Sequence, residues 1–256
     1  MSKPTIVLVP GAWHTPTHYE MMLQRFRDAG YPTSSKQLPS VGSSDPQNQS
    51  VTADMNFIRQ DLLLHELDQG RDVILILHSY GGSPGGAAAK GLSKAERASS
   101  GKKGGIIGLV YMCAFVANEG DSLLSKFPGQ KWEPWHLVNE ETFQIDARTP
   151  WDIFYNGVDD SLASPAIQAI KQQAIPSFTS PSPPPAWKDD VFNGRRAYIK
   201  CHQDRAIIYI AQSMMISLSS LEWHELDLED ASHSPFLTHV DPIFNFVHEL
   251  ATEWKN

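Results

Sequence analysis

The chain has 256 residues, a formal net charge of -8, 41% hydrophobic and 20% charged residues. That length and apolar fraction suit one large α/β domain and exclude global disorder. The acidic balance argues against nucleic acid and anionic membranes as partners, and the short basic pairs Lys102-Lys103 and Arg195-Arg196 do not reverse it.

Thr5-Ile6-Val7-Leu8-Val9 reads as a buried strand, with Pro10-Gly11-Ala12-Trp13-His14 as the loop after it. A helix is predicted over 17–29, closed by Gly30, then a weaker strand over 31–38 and a polar loop over 40–49. Thr52 can cap a helix that carries Met55, Ile58, Leu62 and Leu63 on one side and ends at Gly70. Val73-Ile74-Leu75-Ile76-Leu77 is the strongest strand; it stops at His78-Ser79-Tyr80-Gly81-Gly82, and a small-residue helix reaching Leu92 follows. Residues 93–105 are polar, and 106–113 form another apolar strand. Strands alternating with helices predict a mostly parallel sheet with right-handed crossovers.

From about 115 to 187 the rhythm breaks. This stretch holds Trp132, Trp135, Trp151, Phe154, Tyr155 and a Pro-rich run over 176–185. Long excursions inside compact domains are unusual unless functional, so 116–190 is expected to form a helical cap over a core made of 1–115 and 191–256. The core resumes with a strand over 197–201, His202-Gln203-Asp204, and a helix through Ile207, Ile210 and Met214. A last strand over 223–228, the loop Ala231-Ser232-His233-Ser234-Pro235-Phe236 and an amphipathic helix over 242–254 complete the chain. Cys113 and Cys201 fall in predicted strands, where a free thiol behaves as a small hydrophobe. No disulfide, metal site or cofactor is expected. No charged-then-apolar segment precedes the first strand, and no apolar run approaches the ~20 residues of a membrane span. A soluble, cytoplasmic protein is expected, with a homodimer left open.

The chemistry centres on Ser79. A strand, a sharp turn and a helix start lift its hydroxyl out of the sheet, in a pattern close to the nucleophile elbow G-x-S-x-G. Leu77 stands where that pattern has its first Gly, and a Ser in an ordinary strand-to-helix turn is the bland alternative. A Ser hydroxyl needs a base, and the base needs a group that fixes its tautomer. The chain has 10 His, so topology must choose among them. Sites in open α/β sheets form at the carboxyl ends of strands, where Ser79, Asp204 and His233 lie in the order nucleophile, acid, base. Glu119 and Asp121 also follow a strand and compete with Asp204 as the acid. Oxyanion donors would come from the N–H of Tyr80, after the nucleophile, and of Ala12 in the first loop. His78 is expected to point away from Ser79, as neighbours in a strand do. His14 is divided between pocket lining and a structural hydrogen bond.

Four stretches, IVLVPGAWH, HSYGG, YIKCHQDRAI with Gln212 after it, and ASHSPF, together resemble the small α/β-hydrolases that include plant methyl esterases and hydroxynitrile lyases and their bacterial and fungal esterase relatives. The resemblance covers nearly the whole chain. It implies an α/β-hydrolase fold with a mostly helical cap between the sixth and seventh strands of that fold's usual count. It also implies Ser79 as nucleophile, His233 as base, Asp204 as orienting acid, and Ala12 and Tyr80 as oxyanion donors. Pro10-Gly11 replaces the usual His-Gly of the first loop.

A serine hydrolase acting on a small, largely apolar carboxylic ester or lactone is therefore expected, with Trp13, His14, Phe115, Trp132, Trp135 and Ser234 as substrate-pocket residues. Hydroxynitrile lyases carry Lys directly after the base, where this chain has Ser234. Haloalkane or epoxide chemistry would need Asp at position 79. Carbon–carbon bond hydrolysis on the same triad and a receptor-like binding role stay open, because fold does not fix function.

Overall fold

In the computed structural model, which describes residues 3–255, the apolar runs become strands β1 (Thr5–Val9), β2 (Thr33–Ser35), β3 (Val73–His78) and β4 (Ile106–Met112). Between them lie α1 (Glu20–Asp28), α2 (Val51–Phe57), α3 (Leu64–Leu67), α4 (Gly82–Ala88) and α5 (Lys94–Ser99). The stretch after β4 carries β5 (His136–Asn139), β6 (Gln144–Ala147), α6 (Pro150–Phe154), α7 (Asp160–Ala169), β7 (Gln173–Ala174) and α8 (Ile175–Thr179). The chain returns with β8 (Arg196–Cys201), α9 (Tyr209–Ser219), β9 (His224–Leu228), α10 (Pro235–Thr238) and α11 (Val240–Glu253).

The main sheet has six parallel strands in the order β2-β1-β3-β4-β8-β9. All residues of β1, β3, β4 and β8 are buried, which is why three of these four read as continuous apolar runs rather than alternating ones. Helices flank the sheet, α1 packing against α11 and α2 against α4. At the edge, Lys200 Nζ lies 2.6 Å from Glu225 and 3.1 Å from Asp227 on β9. Charge on an edge strand discourages pairing with another chain.

Three segments differ from the sequence expectation. The strand expected over 31–38 shrinks to Thr33–Ser35, because the Tyr31 ring turns inward against Phe26 and Phe244. The stretch 93–105, read as merely polar, contains α5, started by a capping box between Ser93 and Glu96. The insert between β4 and β8, expected to be helical, also carries a three-stranded antiparallel sheet in the order β5-β6-β7.

The two stems of the insert are tied together. Gly120 N–H donates to Ser182 O (2.9 Å), Ser182 N–H to Asp121 O (2.7 Å), and Trp187 Nε1–H to Ala117 O (2.9 Å). Cys113 and Cys201 are both free and buried. Among the described residues no helix is long and apolar enough to cross a membrane.

Candidate active site

The turn after β3 is forced by close packing. Ser79 has φ 53°, a left-handed conformation uncommon outside Gly and a local store of strain. A Cβ on Gly82 would sit 2.4 Å from the Phe115 carbonyl oxygen, so only Gly lets the backbone pass there. The elbow's missing first Gly has a counterpart across the interface. A Cβ on Gly85 of α4 would meet Leu77 Cδ2 at 2.3 Å. The bulk that Leu77 adds to the strand is accommodated by the side chain the helix lacks.

Ser79 follows β3, Asp204 follows β8, and His233 lies in the loop after β9. These three loops bring the side chains together at the carboxyl edge of the sheet. His233 Nε2 is 2.9 Å from Ser79 Oγ, and His233 Nδ1 is 2.7 Å from Asp204 Oδ2. Asp204 is fixed from both sides. Its Oδ1 accepts from the Ala206 and Ile207 N–H groups at 2.8 Å each, and its Oδ2 also accepts from Gln212 Nε2 at 3.3 Å. Gln212 is anchored in turn by both backbone groups of Cys201 and by Ile207 O. The rival acids lie elsewhere: Glu119 is exposed, and the Asp121 carboxylate accepts from Asn118 N–H and pairs with Lys126. Ser79, Asp204 and His233 are all buried, and exclusion of water strengthens every electrostatic contact among them.

The loop after β1 assigns nearly all its N–H groups. Gly11 N–H donates to Tyr19 Oη (2.9 Å), Trp13 N–H to Gln173 Oε1 (3.1 Å), and His14 N–H to Gly11 O (3.3 Å). Ala12 N–H has no acceptor among the described residues, and neither has Tyr80 N–H; Ala12 and Tyr80 both line the cavity that holds Ser79. Two backbone donors beside the cavity are thus without an acceptor among the described residues.

That cavity lies between Ala12, Trp13, Ser79, Tyr80, His233 and the rings of Phe115, Phe127, Trp135, Phe154 and Phe178. Its volume is small, about 10 Å³. Phe115, Phe127, Trp135, Ala206 and Ile207 also wall an outer chamber of about 440 Å³, which is bordered by Lys126, Glu133, Arg205, Ile208 and Ala211.

Of the six residues expected in the pocket, Trp13, Phe115 and Trp135 line it. Trp132 does not; its ring lies 5.5 Å from His136 and 5.8 Å from Phe178. His14 lies outside the lining, with Nδ1 2.7 Å from Ala12 O and Nε2 3.0 Å from the Tyr155 hydroxyl. Ser234 is buried without lining the cavity. Leu123, Phe127, Phe154, Phe178, Ala206 and Ile207 line it beyond the sequence expectation. Ala206 and Ile207 carry a signal, because they follow directly on Asp204.

Buried ionisable groups frame the site. Burial, reinforced by neighbouring histidines, holds the His14 and His78 imidazoles well below their ordinary range, so both rings are neutral. Asp54 accepts from the Tyr80 hydroxyl at 2.7 Å and from Ser40 N–H at 3.0 Å, and Ser40 Oγ adds a further bond. Burial nonetheless raises its carboxyl to about 6, against the pull of these donors. Donor atoms of His78, Cys113 and His233 lie within 4.8 Å of one another. Every ring nitrogen among them already faces a hydrogen-bond partner.

The comparisons with known proteins agree with this fold. Over 255 residues, 99% of this chain and 98% of the other, the chain is 28% identical to the alpha/beta hydrolase nvfD of Aspergillus novofumigatus. A pyrethroid hydrolase from Sphingobium faniae JZ-2 superposes with a TM-score of 0.70 at 17% identity, over 97% of both chains. The methylesterase MES16 from Arabidopsis does so with a TM-score of 0.66 at 18% identity, over 97% of this chain and 98% of that one. Identities this low show likeness of fold. The profile of the alpha/beta hydrolase family matches residues 6–245, and the chain belongs to that family.

Proposed function

We propose that the protein is a serine hydrolase that cleaves a small, largely apolar carboxylic ester or lactone through an acyl-enzyme. The observation that carries this is His233 spanning Ser79 and Asp204 at 2.9 and 2.7 Å inside a buried pocket. Ser79 Oγ attacks the carbonyl carbon and its proton passes to His233 Nε2. Asp204 accepts from Nδ1–H, fixes the tautomer and stabilises the imidazolium. The carbonyl oxygen, now an oxyanion, accepts from Ala12 and Tyr80 N–H. Collapse breaks the ester C–O bond, and His233 returns the proton to the leaving alcohol. Water, deprotonated by His233, then attacks the acyl-enzyme, and the acid leaves with Ser79 restored.

An ester reading has support from the neighbours' names, a methylesterase and a pyrethroid hydrolase. A largely apolar substrate is supported by the aromatic lining, where Trp13 lies 5.4 Å from Phe154 and from Phe178 between ring centroids. Residues of the insert supply much of that lining, and we read the insert as a cap that selects substrate. The two chambers suit an ester with one small part against Ser79 and a larger part in the outer space.

A turnover screen tests this with p-nitrophenyl esters of increasing chain length beside a panel of lactones, wild type against Ser79→Ala. Turnover of at least one class, lost in the variant, is expected. Equal rates for the two proteins on every compound would remove the ester-hydrolase reading.

A further inference from the structure

Acyl transfer of the kind proposed above requires two loops to keep their spacing: the one that presents Ala12 N–H and the one that presents His233. They come from opposite sides of Ser79, and neither is part of a strand. A hydrogen-bonded chain joins them. Gly11 N–H donates to Tyr19 Oη at 2.9 Å, Tyr19 Oη lies 2.7 Å from His78 Nδ1, and His78 Nε2 lies 2.9 Å from the backbone oxygen of His233.

The direction of each bond follows from donor chemistry. A carbonyl oxygen only accepts, so His78 Nε2 carries a hydrogen. The ring is neutral, so Nδ1 is a lone pair and must accept, and Tyr19 must donate its O–H there while accepting from Gly11. Tyr19 and His78 are fully buried. Burial keeps the His78 ring uncharged and holds the Tyr19 hydroxyl well above its ordinary range, so it stays protonated. Every polar atom in the chain is satisfied in only one arrangement of hydrogens. Phe236, three residues past His233, packs its ring 4.3 Å from Tyr19 and 5.2 Å from His78 and fixes both planes.

The geometry points to Tyr19 and His78 as positioning residues that lock the oxyanion loop to the loop of the base through a one-way hydrogen-bond relay. Neither touches substrate. This rests on the assignment of Ser79, His233 and Ala12 given above. If the Tyr19 hydroxyl is lost, Gly11 N–H and His78 Nδ1 lose their partners. The His78 proton is then free to move to Nδ1, which turns a lone pair towards the His233 carbonyl oxygen and pushes the base loop away.

The test compares Tyr19→Phe, His78→Leu and His78→Gln with wild type and Ser79→Ala, using p-nitrophenyl butyrate. Binding of a short alkyl trifluoromethyl ketone, whose adduct with Ser79 carries an oxyanion, is measured beside the matching methyl ketone. Tyr19→Phe and His78→Leu should lower kcat roughly 10- to 100-fold, as expected when buried hydrogen-bonding groups lose partners, with KM within about threefold. They should weaken the trifluoromethyl ketone by a similar factor and leave the methyl ketone unchanged. His78→Gln keeps an N–H near the His233 oxygen and should recover most of the loss. A merely structural role would lower the melting temperature and leave the ratio of the two ketone affinities at the wild-type value, and that result would overturn the relay. Ser79→Ala separates the layers. If it is inactive while both relay variants keep wild-type kcat, the relay alone falls; if it is fully active, the nucleophile assignment falls and takes the relay with it.

Discussion

On the core side of the cavity, position is set by hydrogen bonds. Gly11 N–H, Trp13 N–H and His14 N–H each have a partner, Asp204 accepts from four donors counting His233, and Gln212 is itself pinned at Cys201. On the insert side, position is set by rings. Trp135, Phe154 and Phe178 stand 5.4 to 5.5 Å from Trp13 at interplanar angles between 33° and 60°. Hydrogen bonds weaken steeply with misalignment, whereas tilted aromatic contacts tolerate a range of angles. Substitutions on the core side should therefore act on the rate of the chemical step, and substitutions on the insert side on the choice of substrate.

The largest effects should come from the core side. Ser79→Ala should reduce ester turnover by several orders of magnitude, and Asp204→Asn by roughly 10⁴ through loss of tautomer control. Glu119→Gln and Asp121→Asn should stay within about tenfold of wild type, since neither carboxylate reaches His233. Steady-state kinetics on one ester decides it; the opposite ranking would move the acid to the loop after β4.

Next comes a core-side effect on stability. The Asp54 carboxyl lies at about 6 in the folded chain, against 3.8 as its ordinary value. Between those values the folded state binds more protons than the unfolded one, so stability falls as pH rises from about 4 to about 7. At 1.36 kcal/mol per unit the loss is on the order of 3 kcal/mol. Asp54→Asn has no such proton to lose. Urea midpoints of the two proteins, measured across this range, should converge or cross as pH rises. Parallel curves would mean that Asp54 titrates normally.

Smaller effects belong to the insert. Trp135→Ala opens the wall shared by both chambers and should shift the ratio of kcat/KM between bulky and small esters by about tenfold, as a change of one large apolar side chain in a pocket does. The smallest ester should keep its kcat within about threefold. If the rate on the smallest ester collapses while the ranking stays fixed, the division of labour between the two sides is wrong. Smallest of all, Ala211→Trp fills part of the outer chamber and should lower kcat/KM for long-chain esters roughly three- to tenfold without touching the acetate. A chain-length series on the two proteins reads this directly.

What can be read in the sequence follows the same division. Core strands announce themselves because a parallel strand buried on both faces is a continuous apolar run, and the site is legible because Ser79 follows such a run and Asp204 and His233 follow the shorter, partly polar strands β8 and β9. The relay partners are not legible: Tyr19 and His78 are 59 residues apart, and strand alternation does not show that His78 meets the His233 carbonyl. The helix α5 does have a signal, Ser93 three residues before Glu96, hidden in a stretch dominated by Lys, Ser and Gly. In the insert, strands of four residues or fewer lack a readable period, and an aromatic-rich segment does not say which rings turn inward. Trp132 is expected in the cavity, and Phe154 and Phe178 occupy it instead.

Leu77 and Gly85 carry a consequence for how the elbow is inherited. The requirement at this crossing is a volume shared by a strand and a helix, and either element can supply the empty half. A descendant that lost Gly85 to Ala would need a smaller residue at 77 in the same lineage, and one that had acquired Leu77→Gly would be released to fill 85. The two positions form a single steric locus, so substitutions there should be tolerated as pairs and penalised singly. A nucleophile elbow written as a string of residues registers only half of that locus.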